Sequence, residues 1–497
     1  MRKSTSFSIL RWVAIGFIMM AVFLTTVELV KYSRIRSNFP RGLKIAGVPV
    51  GGLDYTHASE RILKIYLSPI EVHYGEAAVQ IKPSALGFEP QLESMLVAAD
   101  NQRVTESFWL GYWNYLWNRT QSISNIPLHA KNDDERIYAY LRDQISSRYD
   151  QPATPPMPVP GESGFYAGTA GTELNLDRAV LQVIEAMESS SSRTVNLTFR
   201  KTNPPRPSIL LLEIMLKDII KVSGFDGTVE IYLQDLQTSQ SLNFAYSAIE
   251  GDIPTDIAFS AWSTIKIPVM VSAFQFINDP PPQEYLSLME KMIERSENES
   301  TDELASVVID NRLAPLIVTE SMQTLGLENT FWAGFFRPGA PLLQRFTTPA
   351  NQRTDIDTKP DIYNQTTPAD MGMLMQDIYH CAETGGGSLI AAFDNEITQN
   401  ECQLMVKYLA LNQIGVLIQA GMPSGTVVAH KHGWANETDD GLIHTIGDVA
   451  IVYTPGGDYT LSIFVHHPVQ AVFDPVNLLF ANLSSATYNY FNLHTQQ

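Results

Sequence analysis

Positive charge is scarce in this 497-residue chain. Lysine and arginine together number 34 against 53 acidic residues, a net charge of −19. That balance excludes nucleic acid, and any anionic surface held through bulk charge. Cysteine is scarcer still, with only Cys381 and Cys402. An even count in an exported domain permits one disulfide, and two buried thiols are the alternative. The Cα separation that decides between them cannot be read from spacing. Metal-ligand patterns are also missing. His430 and His432 stand two apart on a strand-like run with no third ligand clustered beside them, so no metal and no other cofactor is expected. What is present is globular: 44% hydrophobic and 18% charged residues. The length exceeds one ordinary core, so two or three domains are expected.

Only one apolar run is long enough to matter for a membrane. It extends from Trp12 to Val27 and ends at Glu28. Arg2, Lys3 and Arg11 precede it, and Lys31, Arg34 and Arg36 follow. A run of about 16–19 residues is at the short end for a spanning helix. No A-x-A-like cleavage site follows, so residues 1–36 are expected to stay as an uncleaved signal anchor. Basic residues on both sides leave orientation undecided by counting.

Residues 40–203 read as a first α+β unit. Ile45-Ala-Gly-Val-Pro-Val-Gly-Gly-Leu-Asp54 predicts a strand, a glycine turn and a helix start capped by Asp54 or Thr56. A similar pattern returns at Gly168-Thr-Ala-Gly171, followed by an apolar helix and a strand over 194–199. Strand-like segments at 70–74 and 78–81, an aromatic helix at 108–117 and a helix at 134–147 lie between. The proline-rich stretch 151–160 reads as a loop or short linker. This unit shows no phosphate loop and no nucleophile constellation. Its glycine and apolar pattern resembles the domain assigned to peptidoglycan binding in VanW-type and related membrane-anchored bacterial proteins.

Asn203-Pro-Pro-Arg-Pro207 breaks helix and strand alike and marks a boundary. Beyond it come a helix at 208–222, a hairpin-like pair at 227–233 and 239–245, and then Ala261-Trp-Ser-Thr-Ile-Lys-Ile-Pro268. Ser263 and Lys266, three apart at the start of an apolar helix, share a helical face. A lysine in a low-dielectric pocket can take the proton of a serine hydroxyl and make it a nucleophile. Two later stretches offer partners. Arg295-Ser296-Glu297-Asn298 ends an amphipathic helix, and on a tight turn Ser296 can relay a proton while Asn298 holds a substrate amide. An ordinary capping turn has the same composition. Val427-Val-Ala-His-Lys431-His432-Gly433-Trp434 is a strand that can present Lys431 to a carboxylate. Gly433 would admit a close backbone approach, and the Trp434 N–H could join that of Ser263 around an oxyanion.

These three stretches, in this order, resemble the S-x-x-K, S-D-N and K-T-G set of class A β-lactamases and penicillin-binding serine hydrolases. The resemblance covers residues 209–497 and includes Asn364-Gln-Thr-Thr-Pro-Ala-Asp-Met371. It implies an antiparallel sheet with helices on both sides, behind the smaller α+β unit and a transmembrane helix. It implies that Ser263 is acylated, Lys266 is its base, Ser296 shuttles protons, and Asn298, Lys431, His432, Gly433 and Trp434 bind substrate. The substrate would be a β-lactam or a peptidoglycan stem peptide, met at the cell wall by a monomer anchored in the cell membrane with its catalytic domain outside. Three departures stand out. Glu297 replaces an aspartate, and His432 replaces a threonine or serine. No glutamate occurs between Glu328 and Glu383, where class A enzymes keep their deacylating base. Asp355, Asp357 and Asp361 are the acids nearest that place, so acylation is expected without fast deacylation. A second reading is a non-catalytic wall-binding or sensing protein with a degenerate cleft.

Overall fold

The apolar run near the N-terminus lies within a 32-residue helix, α1 (Thr5–Arg36). Its segment Leu10–Arg36 is long and apolar enough to cross a membrane. This computed structural model describes residues 5–119, 123–412 and 414–493. Residues 1–154 and 170–203 make one unit, and residues 155–169 and 204–497 make the other.

In the first unit, Asp54 caps α2 (Tyr55–Tyr66), its carboxylate accepting from the His57 N–H at 2.9 Å. β1 (Ile70–Tyr74) and β2 (Ala77–Ile81) form an antiparallel hairpin. Two further helices, α3 (Leu92–Val104) and α4 (Phe108–Leu116), follow. The returning glycine pattern forms β3 (Gly171–Leu174) and α5 (Leu176–Glu188), with Asn175 as the cap. The strand expected over 194–199 is split. β4 (Thr194–Asn196) runs parallel to β1, and β5 (Phe199–Thr202) turns away to pair with β3. Ile62, Val72, Leu86, Leu96, Ile137 and Val183 belong to the shared core.

The second unit is built on six antiparallel strands. These are β6 (Thr228–Asp235), β7 (Ser241–Ser247), β8 (Gly251–Ile253), and, much later, β12 (Val427–Trp434), β13 (Thr445–Tyr453) and β14 (Tyr459–His466). Their spatial order is β8-β7-β6-β14-β13-β12, which leaves β12 at an edge. A three-stranded sheet places β11 (Asn364–Thr366) between β9 (Phe259–Ser260) and β10 (Phe331–Trp332).

Strand periodicity sorts the core into two layers. On β13, Val449 and Ile451 face one layer, while Ile446, Ala450 and Val452 face the other. The second layer holds α6 (Ile209–Ser223) and α13 (Phe473–Phe491). The first holds α7 (Lys266–Phe276), α8 (Gln283–Glu294), α9 (Asn298–Leu304), α10 (Ala314–Thr324), α11 (Pro368–Thr384) and α12 (Gln399–Ala410). The sheet is thus covered by helices on both faces, as expected. Cys381 on α11 and Cys402 on α12 are disulfide-bonded, with Cα atoms 5.8 Å apart. The proline-rich stretch is more than a linker. Met157–Pro158 pairs with Phe165–Tyr166, and Ser163 O accepts from Asn489 Nδ2 of α13 at 2.8 Å.

Candidate active site

The chain reaches Ser263 from β9, whose Ser260 pairs with Gln365 on β11. It turns at Trp262, which adopts a left-handed φ of +50°. A bulky residue there stores backbone strain, and such strain concentrates at functional sites. A single 3₁₀ turn, Trp262–Ile265, then leads into α7. Residues 266–274 of α7 are all buried. A helix that is apolar all round belongs in a core, and it carries Lys266 inside with it.

Lys266 is fully buried. Its Nζ lies 2.9 Å from Ser263 Oγ, 2.8 Å from Ser296 O, 3.3 Å from Ser296 Oγ and 2.7 Å from Asn298 Oδ1. Burial lowers its pKa well below the usual lysine value, and the Lys431 cation lowers it further, against the opposing charge of Asp302. A neutral amine has two protons to donate and one lone pair to accept with. Ser296 O and Asn298 Oδ1 can take the protons, which leaves the lone pair for the Ser263 hydroxyl.

Ser296 also has a left-handed φ, +59°. Its Oγ accepts from Lys431 Nζ at 2.9 Å, so one hydroxyl stands between two buried amines. Glu297 is accommodated without disturbing this turn. Its backbone N–H bonds Lys291 O at 3.2 Å, and its carboxylate accepts from Ser300 Oγ at 2.8 Å. The extra methylene relative to aspartate is absorbed on the helix side of the turn. Asn298 begins α9, and Asp302 lies one turn on along the same face. Asp302 accepts the N–H groups of Phe336 and Arg337 at 2.9 and 2.8 Å, which pins that loop so that the Phe336 ring centroid lies 5.2 Å from Lys266 Nζ. Asp302 belongs to none of the three sequence motifs. The i, i+4 spacing from Asn298 was the available signal.

Lys431 is fully buried on β12, and burial pushes its pKa down to about 7 despite Asp448 nearby. Besides Ser296 it donates to His432 O at 3.0 Å. Gly433 lies against the nucleophile turn. A Cβ there would come within 2.7 Å of Ala261 O and 2.8 Å of Ser263 N, so only glycine permits the approach. His430 is engaged elsewhere, by Asp448 at 3.1 Å and Gln419 at 3.1 Å.

His432 departs from its expected setting. It is 3% exposed and stacks on Trp434 with ring centroids 4.5 Å apart. Burial first, and then the Lys431 cation, push its pKa down to about 2, so it stays neutral. Residues 430, 432 and 434 share one face of β12, where the His432 ring meets His430 edge-on and packs against Trp434. The ring lies beside the cleft rather than in its lining. Its Nε2 is a buried atom without a hydrogen-bond partner, as is Asn364 Oδ1.

The cleft encloses about 430 Å³ and is lined by Ser263, Asn298, Phe336, Arg337, Asp361 and Trp434, among others. Lys266 and Lys431 are buried and lie outside that lining. Of the three candidate acids only Asp361 lines it. Asp355 is paired with Arg353 at 2.6 Å, and Asp357 accepts the Lys359 N–H. Asp361 accepts from Tyr363 N–H at 3.1 Å and Asn364 Nδ2 at 2.9 Å, and burial raises its pKa. Arg337, an exposed cation in the cleft wall, likewise lies outside those motifs.

The family model described as the Beta-lactamase enzyme family matches residues 277–491. The match begins after Ser263 and Lys266 and includes Ser296, Asn298 and Lys431. No curated protein matches the chain. Among solved structures the chain is similar to PBP-A, at 20% identity over 58% of this chain and 99% of that one, with a TM-score of 0.40. It is also similar to an ancestral (GNCA) class A β-lactamase, at 17% identity over 56% and 98%, with a TM-score of 0.39. A third is the TLA-1 extended-spectrum β-lactamase, at 16% identity over 55% and 97%, with a TM-score of 0.39.

Proposed function

We propose that the second unit is a serine hydrolase that forms an acyl-Ser263 ester with a β-lactam or a wall-peptide amide. The carrying observation is the 2.9 Å contact between Ser263 Oγ and a lysine held below its ordinary pKa by burial and a second cation. In this reading neutral Lys266 takes the Ser263 proton as Oγ attacks the amide carbon. The N–H groups of Ser263 and Trp434 receive the oxyanion. As the tetrahedral adduct collapses, the C–N bond breaks and Ser296 hands a proton to the leaving nitrogen, replenished from Lys431 or Lys266. Asn298 holds the substrate amide, and Lys431 and Arg337 attract its carboxylate. Asp361, with Asn364, is the group placed to activate a water on the acyl ester. As the shorter acid, it supports slow release.

Helix α1 serves in this reading as an uncleaved membrane tether, with both units outside the cell membrane. The first unit, by the likeness of its Val-Pro-Val-Gly-Gly-Leu-Asp opening, adds a contact to peptidoglycan. A fluorescent penicillin followed on a gel tests the acylation. Covalent labelling that disappears in Ser263→Ala is the expected result. Absence of labelling on folded wild-type protein would instead favour a wall-binding cleft without chemistry, an outcome consistent with histidine standing where the family carries a hydroxyl. Nitrocefin turnover then separates a β-lactamase from a slowly released acyl-enzyme.

A further inference from the structure

Helix α4 exposes what most helices hide. Trp109, Trp113 and Trp117 are 68%, 53% and 62% exposed, and Leu116 is 44% exposed. These four positions recur at helical spacing and form one stripe. No charged residue stands between Ser107 and Asn118. The opposite face of α4 packs on α1. Tyr112 Oη donates to Thr25 O at 2.9 Å, and Tyr115 Oη donates to Glu28 Oε2 at 2.9 Å. The Tyr32 ring lies 5.4 Å from that of Phe108 and 5.5 Å from that of Tyr112. A methyl group on Gly111 would overlap Tyr32 Oη, so glycine is what lets the helices come together.

A pocket of about 420 Å³ opens at the same corner. Arg36, Arg41, Arg103 and Arg119 line it with a single carboxylate, Glu106. In a chain of net charge −19 this is a local reversal of sign. Arg36 Nη1 and Arg103 Nε are buried atoms without a partner, while Arg103 Nη2 pairs with Asp100 at 2.6 Å and Glu106 is engaged by Asn114. At a rise of ~1.5 Å per residue, Leu10–Arg36 is roughly 40 Å long, against about 30 Å of bilayer hydrocarbon, and its uninterrupted apolar run ends at Val27. Its last turns, with Tyr32 and Arg36, therefore fall at headgroup depth when the rest spans.

We propose that the α1–α4 corner is a lipid seat. The tryptophan stripe of α4 lies in the interface of the bilayer that α1 crosses, and the arginine pocket takes the phosphate of a phospholipid headgroup. Tryptophan suits a boundary with one apolar and one wet side, and guanidinium forks match phosphate oxygens. The seat rests on the reading of α1 as a membrane span. It would hold the first unit down on the membrane surface instead of leaving it to swing on the tether.

The test uses the full chain in phosphatidylcholine vesicles with brominated acyl chains, which quench nearby tryptophan. Trp12→Phe removes the reporter inside α1. That variant should still be quenched, and adding Trp109→Phe, Trp113→Phe and Trp117→Phe should reduce the quenching at least threefold. If Trp12→Phe floats with the vesicles but is not quenched, α4 stays in water and the seat is refuted while the anchor stands. A chain that does not float at all refutes the anchor and the seat together. Arg41→Gln with Arg119→Gln, in the Trp12→Phe background, should lower quenching at least twofold. Unchanged quenching would remove the phosphate pocket from the proposal.

Discussion

Lys266→Met keeps an unbranched apolar chain as far as Cε and removes the amine. Burial and Lys431 already hold that amine below the ordinary lysine pKa, so the base is preformed in the resting cleft. Loss of a positioned general base reduces a rate by about 10²–10⁴, or roughly 3–5 kcal/mol of barrier. The effect on folding should be much smaller. The buried amine is replaced by an apolar chain in an apolar helix, which offsets the hydrogen bonds lost by Ser296 O and Asn298 Oδ1. Asn298 is exposed and can turn to water, so a stability change within about 2 kcal/mol is expected. The assay is the time course of covalent penicillin labelling, read by intact mass, with thermal unfolding alongside. Wild-type acylation should rise with pH through a value well below that of a free lysine, and the variant should lose that limb. Labelling within about tenfold of wild type, on a folded variant, would show that Lys266 is not the base.

Gly433→Ala should reduce acylation at least tenfold while the circular dichroism spectrum is retained, since the added Cβ pushes the edge strand off Ala261 O and Ser263 N. The folded pKa of Lys431, about 7, lies below its unfolded value, so the unfolded chain binds more protons and stability should rise between pH 7 and pH 10. Denaturant titrations should show this slope, reduced in Lys431→Met. Over the same range the free cleft loses a cation, so the penicillin concentration for half-maximal acylation should increase above pH 7. Asp361→Asn should leave acylation nearly intact and lengthen the lifetime of the acyl-enzyme, measured by intact mass after excess penicillin is removed. Replacing Cys381 and Cys402 by alanine opens a cross-link of sequence separation 21 and should lower stability by about 3 kcal/mol on the chain-entropy account.

The sequence by itself determined the parts of the site whose partners are close along the chain. Ser263 and Lys266 meet because three residues are one helical turn, and Asp54 caps a helix because a β-conformation aspartate reaches the third N–H. Strand alternation likewise made the edge run from Val427 to Trp434 legible, and the apolar run of α1 was evident from composition. Tertiary structure decided the rest. Ser296 Oγ meets Lys431 across 135 residues of sequence, and burial in the folded chain lowers the pKa of both Lys266 and Lys431. Burial made His432 neutral and set it beside the cleft, and folding brought Asp361, of three nearby aspartates, into the cleft lining. The same holds for the loop at Phe336 and Arg337 that Asp302 pins, and for the cysteine pair. Each depends on distance and local dielectric between segments remote in sequence, quantities that no local spacing encodes.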